Sequence, residues 1–467
     1  MDAYLQSHRE AFESDLFRLL AIPSVSTDPA RAGEVARCAE EVAAQLRAAG
    51  LATVEVVPTE GHPVVLAEGP QKPGRPTVLL YGHYDVQPED PVELWTSPPF
   101  EPTVRDGKVW ARGATDDKGQ FLTHVKAVQA LLKTEGDTPV NVKFVIEGEE
   151  EIGSKHLADF LVKHKERLAA DLLVISDSAM FAPGQPSLLY GLRGLAYVQI
   201  DVKGADSDLH SGVFGGAVPN PGFELARIVA ALKDSQGKVL VPGFYDKVVP
   251  LSEAERADYA ALPFDAEEFR SGLNVKGLDG EEGYSPLEQR TGRPTLEVNG
   301  LLCGWTGPGA KTVLPARAMA KISCRLVPDQ DPEEIAELLI KHIESLAPSF
   351  VEVKCTSLHG GKPWITPRDH PALAAAGRAL EKVFGKAPVM VREGGSIPIV
   401  VDFQNLLGLP GVLLGFGLNT ENLHAPDEHF ELENYHKGIQ TSVELLRELA
   451  AIRDSLSPRS PHAGSPA

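Results

Sequence analysis

The run Thr77-Val78-Leu79-Leu80 is short and apolar, and it leads at once into Tyr81-Gly82-His83-Tyr84-Asp85-Val86-Gln87-Pro88. Such a run reads as a buried strand. Strands of this kind alternating with helices constrain a chain to a mainly parallel sheet with helices on both faces. Side chains alternate along an extended segment, so His83 and Asp85 point the same way. That placement suits an imidazole that binds a metal while the neighbouring acid orients it. Four more acid- or histidine-bearing segments follow where a strand should run into a loop: ARGATDDKGQ (111–120), EGEEEIGS (147–154), ISDS (175–178) and NLHAPDE (422–428). In open α/β sheets, ligands collect outside the carboxyl ends of the strands.

The fold class expected is therefore α/β, with a doubly wound, mainly parallel sheet. Helical periodicity runs from about Ala3 to Leu20, from Ala32 to Ala49 (closed by Gly50) and from Lys118 to Thr134. Strands are expected at Thr53–Val57, Val64–Ala67, Thr77–Tyr81, Val140–Glu147 and Leu172–Ser176. The pattern changes at Gly194–Lys203, which alternates like a strand exposed on one face. Helices at Pro219–Leu232 and Asp331–Leu346, with strands at Thr295–Val298, Ala318–Val327 and Val351–Ser357, suggest a smaller α/β domain inserted into the first. The acidic stretch Asp234–Pro294, rich in Pro and Gly, reads as an irregular insertion. After Pro371 the doubly wound pattern resumes.

At 467 residues the chain exceeds one ordinary core. Its net charge of −20 argues against nucleic acid or an anionic membrane as the main partner. Cys38, Cys303, Cys324 and Cys355 form no CxxC pair, which favours reduced thiols. The amino-terminal segment is polar and amphipathic, unlike a signal sequence, and no apolar run reaches membrane-span length. A cytoplasmic location is expected.

Taken singly, each acidic loop has an ordinary explanation. Asp116 and Asp117 precede a helix, where a carboxylate caps backbone N–H groups. Glu149 to Glu151 open a helix, where acids favour the dipole. Taken together, these clusters share the same end of successive strands, which capping does not require. Carboxylates with two imidazoles suit zinc, manganese or cobalt. Two divalent ions balance that many acids better than one, and paired ions are a device for activating water and polarising a carbonyl. One of the adjacent glutamates would then take the water's proton.

The stretches YGHYDVQP, ARGATDDKGQ, EGEEEIGS, SDLHSGVFGG, GAKTVLPARAMAKISCRLVPDQ, HGGKPW, REGGSIP and NLHAPDE cover nearly the whole chain. They resemble the dinuclear zinc peptidases that include cytosolic non-specific dipeptidase and carnosinase. Acetylornithine deacetylase, succinyl-diaminopimelate desuccinylase and glutamate carboxypeptidase are more distant relatives. SDLHSGVFGG, HGGKPW and REGGSIP point to the dipeptidase branch.

The resemblance implies a zinc exopeptidase-like catalytic domain formed by residues 1–189 and 367–454. It also implies a lid and dimerisation domain at 190–366, and 455–467 reads as a disordered tail. His83 and Asp177 would hold one divalent ion, Glu151 and His424 the other, and Asp116 would bridge them. Zinc is the first choice, with manganese or cobalt as alternatives. Asp85 would support His83, Glu150 would be the general base, and Glu149 would be structural or on the surface. His210 would reach across a homodimer interface to stabilise the oxyanion in the partner's active site. Arg325 would bind the substrate carboxylate, with Thr312, His359 and Ser396 as further pocket residues.

The implied reaction is hydrolysis of dipeptides. The alternative is deacylation or decarbamylation of N-acyl or N-carbamoyl amino acids at the same site. A binding protein that has lost activity would not need an intact Glu150 beside all five ligands.

Overall fold

A computed structural model describes residues 1–395 and 398–456. Ser396 and most of the expected tail lie outside these; Ser455 and Leu456 close the short helix Arg453–Leu456. The chain forms two compact units, one of Met1–Tyr190, Thr366–Val391 and the chain from Ile399, the other of Gly191–Ile365 and Arg392–Pro398.

The first unit is built on a twisted sheet in the order Thr53–Val57, Val64–Glu68, Asn141–Glu147, Thr77–His83, Leu172–Ile175, Gly411–Leu413. The last four strands are mutually parallel, while the first two join antiparallel. Asn141–Glu147 and Leu172–Ile175 are buried throughout, as expected of parallel strands covered on both faces. Lys118–Glu135 packs on Thr77–His83, with Ala32–Ala49 and Leu432–Ala451 against it. Parallel register brings the carboxyl ends level: His83 lies opposite Glu147, and Tyr81 opposite Ile175. The loops that follow these strands therefore converge.

The second unit is a four-stranded antiparallel sheet in the order Thr295–Cys303, Arg317–Leu326, Gly194–Lys203, Glu352–Gly361. Gly194–Lys203 alternates buried and half-buried positions along its length. Helices Pro221–Ala230 and Pro332–Leu346 pack on the sheet, where Val198, Ile200 and Ile322 meet Leu225, Ile228 and Leu339 in one core. All four cysteines are free thiols. Among the described residues, no helix is long and apolar enough to cross a membrane.

Three local expectations are corrected. The stretch 234–294 is not irregular: it contains helices Glu253–Ala261, Ala266–Gly272 and Pro286–Thr291. Ser252 with Glu255, and Ser285 with Glu288, form reciprocal capping boxes that satisfy the first N–H groups of two of them. The amino-terminal helix is two helices, Asp2–Ser7 and Arg9–Leu20, parted at His8. There the Ser7 hydroxyl donates to the Tyr4 carbonyl (3.0 Å), which also faces His8 Nδ1 at 2.9 Å; such local bonds compete with the helix ladder. Glu149–Glu151 opens a short 3₁₀ turn, Glu150–Ile152, rather than an α-helix.

Candidate metal centre and active site

His83 ends its strand fully buried. The glycine before it is required by space: a Cβ on Gly82 would lie 2.4 Å from Phe121 Cβ and 2.9 Å from Asp117 Oδ2. His83 Nδ1 faces the Asp85 carbonyl oxygen at 3.1 Å and Asp85 Oδ1 at 3.5 Å. Its Nε2 points at Asp116 Oδ1 (3.1 Å), with Asp177 Oδ2 at 3.8 Å. The other Asp116 oxygen, Oδ2, lies 2.8 Å from His424 Nε2, and Glu151 Oε2 lies 3.4 Å from that same nitrogen. Asp116 thus stands between two imidazoles with one oxygen toward each. Asp177 joins the His83 side and Glu151 the His424 side.

The donor set fits cations. Donor atoms of His83, Asp116 and Glu151 all lie within 4.8 Å of one another. Glu151 Oε1 is buried without a hydrogen-bond partner, while Oε2 accepts from Gln87 Nε2 at 2.7 Å. Burial and the nearby Asp116 charge push Glu151 up to about 9. Burial and the surrounding acids also raise Glu150 well above the usual carboxylate range. Asp116 goes the other way: against the effect of burial, hydrogen bonds to His424 and His83 hold its carboxyl below that range. Nitrogen and oxygen donors crowded in this way suit zinc-like divalent ions.

The surrounding shell is built as carefully. Asp85, fully buried, accepts the backbone N–H of Glu150 (3.2 Å) and of Glu151 (3.1 Å). Asp117 occupies the cap position of helix Lys118–Glu135 but makes no side-chain cap bond, so the capping expectation fails there. Its Oδ2 instead accepts the His83 N–H at 3.2 Å. Glu149 is buried, not on the surface: its oxygens accept from His62 N (3.1 Å), His156 N (3.3 Å) and, with a protonated ring nitrogen, His156 Nδ1 (2.7 Å).

Two further acids hold the Asp116 loop. Glu428 accepts from Arg112 Nη1 (2.7 Å) and from the N–H groups of Gly113 (2.9 Å), Thr115 (3.1 Å) and Asp116 (3.2 Å). Glu421 accepts from the Thr115 hydroxyl (2.7 Å) and from Leu418 N (2.8 Å), and burial pushes it up to about 7. Both were without a role in the sequence reading, because their partners lie some 300 positions away in the chain. An acid closing the NLHAPDE segment was the one visible hint.

Seven of the candidate residues therefore come together in the first unit: His83, Asp85, Asp116, Glu150, Glu151, Asp177 and His424. Of the others, His210, Thr312, Arg325 and His359 belong to the second. His210 is exposed at the end of the two-residue strand Leu209–His210, opposite Val313. Its Nδ1 accepts from Gly212 N at 3.0 Å, and Ser211 N donates to the Thr312 carbonyl at 3.1 Å, so His210 and Thr312 share one edge. Arg325 sits in the four-stranded sheet between Leu195 and Thr295. His359, in the same sheet, stacks on Tyr197 with ring centroids 5.1 Å apart.

A doubly wound domain with a carboxylate set between two imidazoles at its strand ends defines a candidate metalloenzyme. The sequence profile of peptidase family M20/M25/M40 matches residues 79–448, and the chain belongs to that family. It is 36% identical over 466 residues to the human Beta-Ala-His dipeptidase, covering 96% of this chain and 92% of that protein. It is 34% identical over 464 residues to the Cys-Gly metallodipeptidase of Schizosaccharomyces pombe, covering 96% and 97%.

Among solved structures, human carnosine dipeptidase 1 is similar with a TM-score of 0.80, 35% identity and coverage of 96% and 98%. The M20 family metallo-carboxypeptidase Sso-CP2 from Sulfolobus solfataricus is similar with a TM-score of 0.82, 34% identity and coverage of 94% and 99%. The family resemblance carried by the sequence motifs is thus a relationship of the whole chain.

Proposed function

We propose that the protein is a metal-dependent dipeptidase that hydrolyses the amide bond of dipeptides. The observation that carries this reading is Asp116, which offers Oδ1 to the His83 side and Oδ2 to the His424 side of one buried cluster. Whole-length similarity to proteins named as dipeptidases supports the substrate class. In this reading His83 and Asp177 would hold one divalent ion and Glu151 and His424 the other, with one oxygen of Asp116 turned toward each imidazole. Zinc is the first candidate, with manganese or cobalt as alternatives. When bound, such a pair supplies an activated water and a Lewis acid for the scissile carbonyl.

The protein's own groups do the rest. Asp85 fixes His83 and the turn that carries Glu150 and Glu151. Glu150 takes the proton of the attacking water and hands it to the departing amine. His210, contributed by the second subunit of a homodimer, donates to the developing oxyanion. Arg325 receives the substrate carboxylate through its planar fork, with Thr312, His359 and Ser396 completing the pocket. Residues 190–366 serve as lid and dimerisation domain. Free thiols at all four cysteines accord with a cytoplasmic location.

The test is a substrate panel on purified protein, with metal content measured on the same sample. It holds plain dipeptides, a β-alanyl-histidine dipeptide, N-acetyl and N-succinyl amino acids, and an N-carbamoyl amino acid. The expected result is chelator-sensitive cleavage of dipeptides with about two metals per chain. Cleavage confined to the N-acyl or N-carbamoyl compounds would replace the dipeptidase reading with a deacylase. A monomer with full activity would remove His210 from the oxyanion role.

A further inference from the structure

His424 stands apart from the other groups of the metal centre. The side chains of His83, Glu151, Asp116 and Asp177 are between 0% and 16% exposed, whereas that of His424 is 55% exposed. Little packing holds this imidazole, so its place is set by the backbone that carries it.

That backbone is strained. Asn422, His424 and Asp427 have φ of 57°, 58° and 59°, in the left-handed region that residues with a Cβ seldom adopt. Such conformations persist where the surroundings over-determine them. Inside the turn, Ala425 N donates to the Asn422 carbonyl at 3.1 Å. Asn422 Nδ2 donates to the carbonyl oxygens of Pro426 (3.4 Å) and Asp427 (3.3 Å). These bonds close the turn on itself without fixing it to the rest of the unit.

Two adjacent acids provide the outside anchors. Glu428 grips the Asp116 loop. Asp427 reaches a different segment, 331 positions away in the chain: its Oδ1 accepts Thr96 N at 2.8 Å and its Oδ2 accepts the Thr96 hydroxyl at 2.7 Å. The Thr96 segment is itself tied down. Trp95 Nε1 donates to the Glu89 carbonyl at 2.7 Å, and the Arg112 guanidinium lies 5.3 Å from the centre of the Trp95 ring. Arg112 also donates to the Pro88 carbonyl at 3.1 Å. The stretch 88–96, which follows the His83 strand, is thereby joined to the His424 turn. Both imidazoles that face Asp116 sit on segments braced together.

We infer that Asp427, clipped to Thr96, is a positioning residue for His424. The clip holds the strained turn so that the imidazole is in place before an ion arrives, and little freedom is lost on binding. This rests on the reading of His424 as a metal ligand. An aspartate at this position also tolerates left-handed backbone better than most residues, so the test separates the clip from that tolerance.

The experiment challenges zinc-loaded wild type, D427G, D427N and T96V with graded chelator and measures the zinc that each chain retains. D427G relaxes the backbone but removes the clip. It should release the ion on the His424 side at about tenfold lower chelator concentration, with the ion on the His83 side held as in wild type. D427N keeps left-handed tolerance and an acceptor for Thr96 N, and T96V keeps the N–H but not the hydroxyl; both should fall between. Wild-type retention in D427G would show that Asp427 only accommodates the backbone, and would overturn the inference.

H424A and the H424A/D427G double variant complete a cycle. If the clip acts through His424, D427G should add nothing to the loss caused by H424A; additive losses would overturn the inference. This criterion holds whether wild type carries two ions or one, so failure of the two-ion reading is seen separately, in the zinc content of wild type. A wild type that takes up no zinc overturns the metal centre and this inference with it.

Discussion

Each oxygen of the Asp85 carboxylate accepts one backbone N–H, that of Glu150 at 3.2 Å and that of Glu151 at 3.1 Å. The same residue's carbonyl oxygen faces His83 Nδ1 at 3.1 Å. A single buried aspartate therefore sets both the imidazole at one strand end and the turn after the next strand. An amide is a poor substitute, because it turns one acceptor into a donor aimed at an N–H group. Asp85→Asn should cost about 10–100-fold in metal affinity or activity. Metal retention after dialysis against a chelator, measured beside kcat, checks this. Wild-type values for both would detach Asp85 from the centre.

Glu150 and Glu151 are neighbours with different expected roles, and a substitution separates them. Glu150→Gln keeps size and polarity but cannot accept the water's proton. It should lower kcat by about 10²–10⁴-fold while metal content stays at the wild-type level. Glu151→Gln should instead lose metal. If Glu150→Gln also emptied the centre, Glu150 would be a ligand and the base would have to be sought elsewhere.

Arg112 and Glu428 form a buried ion pair at 2.7 Å, with both side chains almost fully shielded from solvent. Glu428 also accepts three backbone N–H groups, including that of Asp116. Removing it strands a buried guanidinium and leaves that loop unsupported. Glu428→Ala should destabilise by about 3–5 kcal/mol, read from denaturant unfolding of the metal-loaded protein. Glu428→Gln, which keeps an acceptor, should lose less. Equal stability of all three proteins would refute the clamp.

What the sequence made legible follows from the range of the interactions. The strand carrying His83 and the loops carrying Asp116, Glu151 and Asp177 were visible because burial on both faces writes apolar runs, and strand ends place ligands. The helices in 234–294 were missed although Ser252 with Glu255, and Ser285 with Pro286 and Glu288, spell capping signals. The surrounding Pro and Gly residues drew the reading toward irregular structure instead. The roles of Glu421 and Glu428 were hidden for another reason, beyond the hint that an acid closes NLHAPDE. Their environments are made by segments far away in the chain, and no local pattern of residue types records them.

His124 gives the stability of the first unit a pH dependence that is separate from the metal centre. It lies on Lys118–Glu135, 2% exposed, with ring nitrogens 2.8 Å from the Ser176 hydroxyl and 3.0 Å from the Ser442 hydroxyl. Burial, with no acid to offset it, pushes its pKa down to about 3. In the unfolded chain a histidine titrates near about 6.5. Above that value both states are neutral and the stability is fully present. Below it the unfolded chain takes up a proton that the folded protein refuses, so stability falls by about 1.4 kcal/mol per pH unit. The fall continues until pH approaches the folded value near 3. His124→Gln cannot titrate but can still bond both serines. Denaturant unfolding of both proteins at pH 7.5 and near pH 5 should show a shallower acid loss for the variant, and the difference removes effects common to both, metal release included. Parallel losses would mean that His124 is protonated in the folded protein.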